Sequence, residues 1–396
     1  MPFNKHILDN ANQSFIDAHL KTDISLLALK KPSLAHVSIH EIIEQIQSKI
    51  KCEKKLPTWY HTKNIYYPKK LSIEQSSSEL TAAYKADLMQ GKRLIDLTGG
   101  FGVDSLYFSK TFESVIHCEI NEELSAIVSH NFKQLSVDNV ETVAIDGLEY
   151  LKKTTVSFDA IYVDPARRDD IKGKVFKLSD CFPDVVAHLD LLFSHSDHIL
   201  IKTSPMLDVK AGMRELSHIK EIHVVAVHNE VKELLWLLQR KITTQPLVKT
   251  INIKKSGEEH FSFSLADEAE TTPRYSVPKQ YLYEPNSAIM KAGAFNMIWT
   301  SYHLEKLHPH THLYTSDELV DFPGRVFHIK EVLPNERKFL KKKLKNLKAN
   351  VTVRNYPESV AAVRKKIGIK DGGDTFLFFT TNKEGKKIVL ICEKVI

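Results

Sequence analysis

From Arg93 onward the chain alternates short apolar runs with longer amphipathic stretches. RLIDL, SVIHCEI, VETVAI, FDAIYVD, DHILIKT and EIHVVAV have strand length and are rich in Ile and Val, while the segments between them repeat apolar residues at helical spacing. Strands that alternate with helices predict an α/β fold: a doubly wound, Rossmann-like sheet, mostly parallel, with helices on both faces. Upstream, SLLALKK and HVSIHEIIEQIQSKI carry helical spacing without a single glycine, so residues 1–72 read as a helical region. Its last stretch, LPTWYHTKNIYYPKK, leads with SIEQSSSE through prolines, aromatics and serines, an irregular connector into the sheet domain at 73–247. VKELLWLLQR, from Val231, fits either a helix or a last antiparallel strand, and periodicity does not decide. Residues 248–321 begin with a β pair, KTINIKK and HFSFSLA, then the turn-rich YLYEPNSA and a helix-like AIMKAGAFNMIW. Residues 322–396 read strand (RVFHIK), helix (ERKFLKKKLKNL), strand (NVTVRNY), helix (SVAAVRKKI) and hairpin (TFLFFTT, KIVLICEKV), an α+β unit.

Charge adds to this picture because it is unevenly placed. Residues 321–396 hold 18 Lys/Arg against 8 Asp/Glu, a surplus of +10, while residues 1–320 carry −4 of the chain's net +6. Clustered positive charge is the footprint of a polyanion partner such as nucleic acid, and equally the appearance of a solvated lysine-rich face. At 396 residues the chain exceeds a single core, which stops growing near about 250–300 residues. Its 42 % hydrophobic and 26 % charged residues are those of folded domains. No apolar run has the length of a membrane span, and MPFNKHILDN has no apolar signal core, so a cytoplasmic protein without membrane association is expected. The four scattered cysteines form no CxxC spacing and read as buried thiols.

The densest chemistry follows the first strand: Asp96-Leu97-Thr98-Gly99-Gly100-Phe101-Gly102-Val103-Asp104. A glycine-rich turn between strand and helix lets a ligand approach the backbone closely. A dinucleotide is one candidate, since Glu119 ends the second strand where a ribose-binding acid belongs. Two details oppose it: the loop is not GxGxxG, and Asp96 and Asp104 put carboxylates where a pyrophosphate would sit. The ammonium and sulfonium of S-adenosyl-L-methionine would instead be attracted there. Asp146-Gly147 after the third strand can accept the adenine amino proton or form a plain turn, and Asp164-Pro165-Ala166-Arg167-Arg168 closes the fourth strand, where open α/β sheets bind ligands.

DLTGGFGVD, HCEIN and VDPARR together resemble class I S-adenosylmethionine-dependent methyltransferases. IEQSSSELTAAYKA, IKTSPMLD and NEVKELL are similar to bacterial members that carry a C-terminal THUMP-like domain. That resemblance implies a small ferredoxin-like segment around YLYEPNSAIMKAGAF, a THUMP-like module from about Phe322, and an RNA substrate, since THUMP domains generally serve RNA-modifying enzymes. It also implies that Asp96, Thr98, Gly99, Gly100, Gly102 and Asp104 cradle the methionine side of the cofactor, Glu119 and Asn121 the ribose, and Asp146 and Gly147 the adenine. Asp164 would face the methyl group and the substrate. Gln75, Ser76 and Ser77, just before the first strand, would cover the cofactor, unless the serines only cap the next helix.

Amine methyltransferases acting on bases usually follow the fourth-strand prolines with an aromatic, as in N/D-P-P-Y; Ala166 and Arg167 stand there instead, which disfavours adenine-N6 chemistry. Uracil-C5 enzymes need a cysteine after the fifth strand, and Lys202-Thr203-Ser204-Pro205 has none. Cys181 is the nearest alternative but reads as the apolar face of a helix, LSDCFPDVV. Direct, non-covalent transfer is therefore expected, with Asp164 positioning the acceptor or taking its proton. Arg167 would assist, while Arg168, Lys202 and Ser204 would face the substrate. The two arginines could bind a phosphate or carboxylate, or pair with Asp169, Asp170 or Asp184. Lys341, Lys342 and Lys345 are the expected RNA contacts of the tail. His308, His310 and His312 lack acid or cysteine partners, so no metal is expected. Trp59, Tyr60, Tyr66 and Tyr67 could stack bases but more naturally pack the connector on the sheet domain. Competing functions are methylation of a protein or small molecule, and non-catalytic RNA binding on a retained fold; the intact strand-end acids argue against the latter.

Overall fold

The computed structural model describes residues 3–29, 36–167 and 177–395. The chain clusters into two compact units, Met1–Lys220 with Lys232–Thr244, and Glu221–Val231 with Gln245–Ile396.

The first unit is built on β1 (Gly91–Asp96), β2 (Phe112–Cys118), β3 (Val140–Val143), β4 (Ala160–Val163), the two-residue strands β5 (Ala166–Arg167) and β6 (Cys181–Phe182), and β7 (His198–Thr203). After β8 (Ile219–Val227), most of which lies in the second unit, the chain returns as β9 (Glu230–Gln239). The strands lie in the order β9-β7-β4-β1-β2-β3. All neighbours pair in parallel except β9, which runs antiparallel to β7. Leu94, Ile95, Ile161, Val163, Ile199 and Leu200 are fully buried, as strands covered by helices on both faces must be. Chain order runs outward from β1 through β2 to β3 in one direction and from β4 to β7 in the other. The strand order therefore reverses between β1 and β4, the position where open α/β sheets bind ligands beyond their carboxyl ends. VKELLWLLQR proves to be a strand because every residue from Leu234 to Leu238 is buried, which an amphipathic helix would not allow.

The N-terminal helices, the longest being Ile39–Lys55 with a Ser38/Glu41 capping box, share one core with the sheet domain. Trp59, Tyr66 and Tyr67 are buried in it beside Phe101, Val103, Ile127 and Phe132, so these aromatics are packing, not a stacking surface. Asn131 clamps the connector by donating to the Tyr66 carbonyl and accepting from the Tyr66 N–H, both at 2.9 Å.

In the second unit β8 pairs in parallel with β10 (Leu247–Lys254), and β10 antiparallel with β11 (Gly257–Ser264). A further sheet holds β12 (Tyr281–Pro285), β13 (Glu305–Lys306), β14 (Tyr314–Ser316), β15 (Gly324–Pro334), β16 (Lys348–Val353), β17 (Lys370–Asp371), β18 (Thr375–Thr381) and β19 (Lys387–Lys394). Their order is β13-β14-β12-β15-β19-β18-β16-β17. Helices Arg337–Leu344 and Val360–Ile367 contribute Leu340, Leu344, Val363 and Ile367 to a core with Leu377, Phe379 and Val389. Phe378 and Leu390 face the opposite way, into a core with Leu282 and Phe327, as the two-residue period of a strand requires. AIMKAGAFNMIW forms two helices, Ser287–Ala292 and Met297–Tyr302, because Gly293 at φ +78° ends the first. No helix among the described residues is long and apolar enough to cross a membrane.

Candidate functional site

At the carboxyl end of β1 the chain turns sharply, and Asp96 holds the turn. Its carboxylate accepts from the Thr98 N–H at 3.0 Å and from the Ser105 hydroxyl at 2.6 Å. Gly100 and Gly102 take positive φ, and Gly102 opens the helix Val103–Phe108. Gly99 and Gly147 are glycines for want of space. A Cβ on Gly99 would stand 2.2 Å from the His117 ring, and one on Gly147 would stand 2.5 Å from the Leu97 carbonyl oxygen. Burial pushes His117 down to about 4, so a neutral imidazole underlies the loop.

Above this loop lies a cleft of about 310 Å³, within the usual range for small-ligand sites. Gln75, Ser76, Ser77, Thr98, Gly99, Gly100, Asp104, Glu119, Asp146, Gly147 and Asp164 all line it. Each acid is fixed. Glu119 accepts from the Gly100 N–H at 3.0 Å and the Asn121 N–H at 2.8 Å, one on each oxygen. Asp146 caps the helix Gly147–Lys153 through the Leu148 and Glu149 N–H groups. Asp164 donates its own N–H to the Thr98 hydroxyl at 2.7 Å, and its carboxylate accepts from the Lys202 ammonium. Four carboxylates thus line the cleft, and no Lys, Arg or His does so among the described residues.

The balancing cations stand beneath. Asp104 accepts from the Ser77 hydroxyl at 2.8 Å and the Tyr162 hydroxyl at 2.9 Å, and lies 3.2 Å from the ammonium of fully buried Lys85. Lys85 also donates to Ser77 at 3.0 Å and to both oxygens of Glu233, at 2.9 and 2.8 Å. Burial works against the Asp104 charge, yet Lys85, Lys202 and the two hydroxyls hold its carboxyl below the usual range. Burial raises Glu233 against the pull of Lys85 and Lys202. Lys202 also pays a burial cost, and Asp164, Glu233 and Asp104 outweigh it, keeping the ammonium protonated. Among the described residues no cation pairs with Asp96, and burial, with Asp104 and Asp164 nearby, pushes its carboxyl up to about 7.

Sequence reasoning missed Lys85, Glu233 and Tyr162. The signal was a lysine in SELTAAYKA and a glutamate inside the apolar run of β9, charges at positions that a sheet-packed element would give to apolar residues. It also placed Asp96 in the cleft, whereas that carboxylate lies behind the loop, outside the lining. Asn121 accepts from the Leu124 N–H as the cap of the helix Glu122–Gln134. Ser76 and Ser77 line the cleft, and Ser78 caps the helix Glu79–Asp87. Arg167 is exposed on β5, Arg168 lies outside the described residues, and the Ser204 hydroxyl accepts from the Met206 N–H in a turn. Cys181 is on β6 after a short 3-10 turn, not in a helix; burial pushes its thiol up to about 11. Lys341, Lys342 and Lys345, in the second unit, are exposed. No group of three or more His, Cys, Asp or Glu fit to hold a metal occurs among the described residues.

Residues 281–323 match a family model described as a ferredoxin-like domain, and residues 324–394 match one described as THUMP domain-like. Over its whole length, and that of its counterpart, the chain is similar to the crystal structure of a "putative methyltransferase" from Porphyromonas gingivalis W83, with 33 % identity and a TM-score of 0.91. Ribosomal RNA small subunit methyltransferase J of Bdellovibrio bacteriovorus is 30 % identical over 122 residues, 29 % of this chain and 48 % of that protein. An uncharacterized RNA methyltransferase of Mycoplasma mobile is 35 % identical over 92 residues, 22 % of this chain and 25 % of that one. The chain spans about half the length of the first of these curated relatives and a quarter of the second.

Proposed function

This chain belongs to the class I methyltransferases that carry C-terminal ferredoxin-like and THUMP-like domains, and from that premise we propose that it methylates RNA using S-adenosyl-L-methionine. The observation that carries the cofactor reading is the cleft over the glycine loop, lined by four carboxylates and, among the described residues, by no cation. A pyrophosphate would be repelled there, whereas a sulfonium and an ammonium are attracted. When bound, this cofactor supplies a methyl group already activated by a positively charged sulfur. Glu119, its oxygens oriented by two backbone N–H groups, keeps lone pairs for the ribose hydroxyls. Thr98, Gly99, Gly100 and Asp104 border the methionine side, and Asp146 and Gly147 the adenine side. Gln75 and Ser77 approach from the segment before β1. Asp164, oriented by Lys202, is left to position the acceptor. Direct transfer is the reading supported by the lack of a cysteine in Lys202-Thr203-Ser204-Pro205 after β7, and by burial, which pushes the Cys181 and Cys118 thiols up.

RNA as the substrate is supported by the +10 surplus of residues 321–396, by the THUMP domain-like match, and by the RNA methyltransferases that match part of the chain. Calorimetry should record binding of S-adenosylmethionine and no comparable binding of NAD. Glu119→Ala should weaken it by about 1–3 kcal/mol, the worth of hydrogen bonds to a charged group. Unchanged affinity in that variant, or equal binding of NAD, would overturn the cofactor reading. Labelled methyl groups entering protein and not deproteinised RNA would overturn the substrate reading.

A further inference from the structure

The aromatic ring missing from the fourth-strand motif reaches the cleft by another route. β5 and β6 pair antiparallel with Ala166 directly opposite Phe182, and Ala166, Phe182 and Pro183 line the cleft together with Asp164. Three residues beyond Asp164, where the motif would place its aromatic, stands Arg167, and Ala166 before it offers only a methyl group; across the strand pair Phe182 offers a phenyl ring. Phe182 is 50 % exposed, although its strand neighbour Cys181 is wholly buried. Among the described residues no ring stacks on Phe182, and half of its surface is open to solvent on the side of the cleft lining. The lining divides accordingly. Glu119 and Asp146 follow β2 and β3 on one side of the strand-order reversal, while Asp164, Ala166 and Phe182 follow β4 on the other.

We propose that Phe182 is the stacking platform for the methyl acceptor, that the acceptor is a nucleobase turned out of its strand, and that Asp164 accepts a hydrogen bond from its edge. The proposal rests on the cofactor reading above. A base has a flat π-face for the ring and N–H donors on its edge, and stacking on one aromatic is the usual means of holding an unpaired base. A lysine side chain fits poorly, since an ammonium favours several rings or an unpaired carboxylate, whereas Asp164 is already paired with Lys202 and, among the described residues lining the cleft, Phe182 is the one exposed ring.

The test uses full-length protein, S-adenosylmethionine with a tritiated methyl group, and deproteinised total RNA from cells lacking this protein. Phe182→Ala should lower kcat/KM for RNA by about ten-fold or more, mainly through KM, the scale of base–aromatic stacking. Its affinity for S-adenosylmethionine, measured by calorimetry, should be unchanged. Phe182→Trp should restore methylation, and its indole emission should be quenched by RNA relative to a wild-type control. Wild-type kcat/KM in F182A overturns the proposal, as does equal loss of cofactor affinity and methylation, which would mark Phe182 as structural. Failure of the unchanged protein to bind S-adenosylmethionine would instead overturn the reading on which the proposal rests.

Discussion

Lys85 offers the most severe test of how the site is held. It is wholly inaccessible, and its ammonium meets Glu233 at 2.8 and 2.9 Å, Ser77 at 3.0 Å and Asp104 at 3.2 Å. Lys85→Met removes the positive charge and leaves two carboxylates buried together, one of them only 2 % exposed. Breaking a buried pair by deleting one partner costs about 3–5 kcal/mol. Lys202 also acts on Asp104 and Glu233, so the lower end, about 3 kcal/mol, is expected. Replacing both partners, as Lys85→Met with Glu233→Met, removes the stranded charge and should recover part of that loss. Urea unfolding at pH 8 measures this through the fluorescence of Trp59 and Trp236, both buried in the first unit, in a Trp299→Phe background. The single variant should also become more stable as the pH falls. Glu233 has a raised folded pKa even with its partner present, so the folded state binds the extra proton between the unfolded value of 4.5 and the folded one. Stability is therefore lost as pH rises through that window, more so without Lys85. A K85M protein within about 0.5 kcal/mol of wild type, or a double variant as unstable as the sum of the singles, would refute this account of the network.

Other consequences are simpler to state. Gly147→Ala forces a Cβ to within 2.5 Å of backbone at Leu97, so it should unfold the loop or abolish cofactor binding, measured by calorimetry on whatever folds. Asp96→Asn should gain stability relative to wild type as pH rises from about 4 through about 7, because the wild-type carboxyl, with its folded pKa raised to about 7, must ionise while buried and, among the described residues, without a paired cation; parallel urea curves across that range check it. Cys118→Ser and Cys181→Ser should keep methyl transfer, and lost turnover in a folded variant would revive a covalent route. Replacing Lys341, Lys342 and Lys345 by Ala in the full chain should reduce the salt slope of RNA binding by about 0.7–0.9 for each phosphate contact removed, with cofactor affinity unchanged.

Much of the fold was legible because its signals are local. The strands at 94–95 and 161–163 show themselves as apolar runs, and the β18–β19 hairpin as two such runs on either side of the turn NKEG. What stayed hidden depended on partners distant in the chain. β9 reads as helix or strand until burial on both faces decides, and AIMKAGAFNMIW reads as one helix until Gly293 takes its left-handed conformation. Cys181 looked helical because its neighbours are apolar at helical spacing, yet pairing with Arg167, fourteen residues earlier, makes it a strand. The Lys85–Glu233 pair spans 148 residues, and no window of sequence contains both.

The same distinction explains why the loop acids were only half understood. Asp96 and Asp104 flank one glycine turn and look alike as attractors of a cationic ligand, but their environments divide the labour. Asp96, unpaired with any cation among the described residues and with both oxygens engaged by Thr98 and Ser105, shapes the turn; burial, with Asp104 and Asp164 nearby, raises its proton affinity. Asp104 has Lys85, Ser77 and Tyr162 around it, stays ionised, and is the one that lines the cleft. The difference arises from helix Glu79–Asp87 and strand β9, which bring one lysine and one glutamate under the turn from opposite ends of the domain's sequence. A charge available to a ligand at neutral pH thus depends on a counter-charge the ligand never meets. If Glu233→Gln left the Asp104 charge as it is but loosened Lys85, cofactor affinity should fall with no change in any residue lining the cleft. That loss, absent in Glu221→Gln in the other unit, would separate support of the site from general destabilisation.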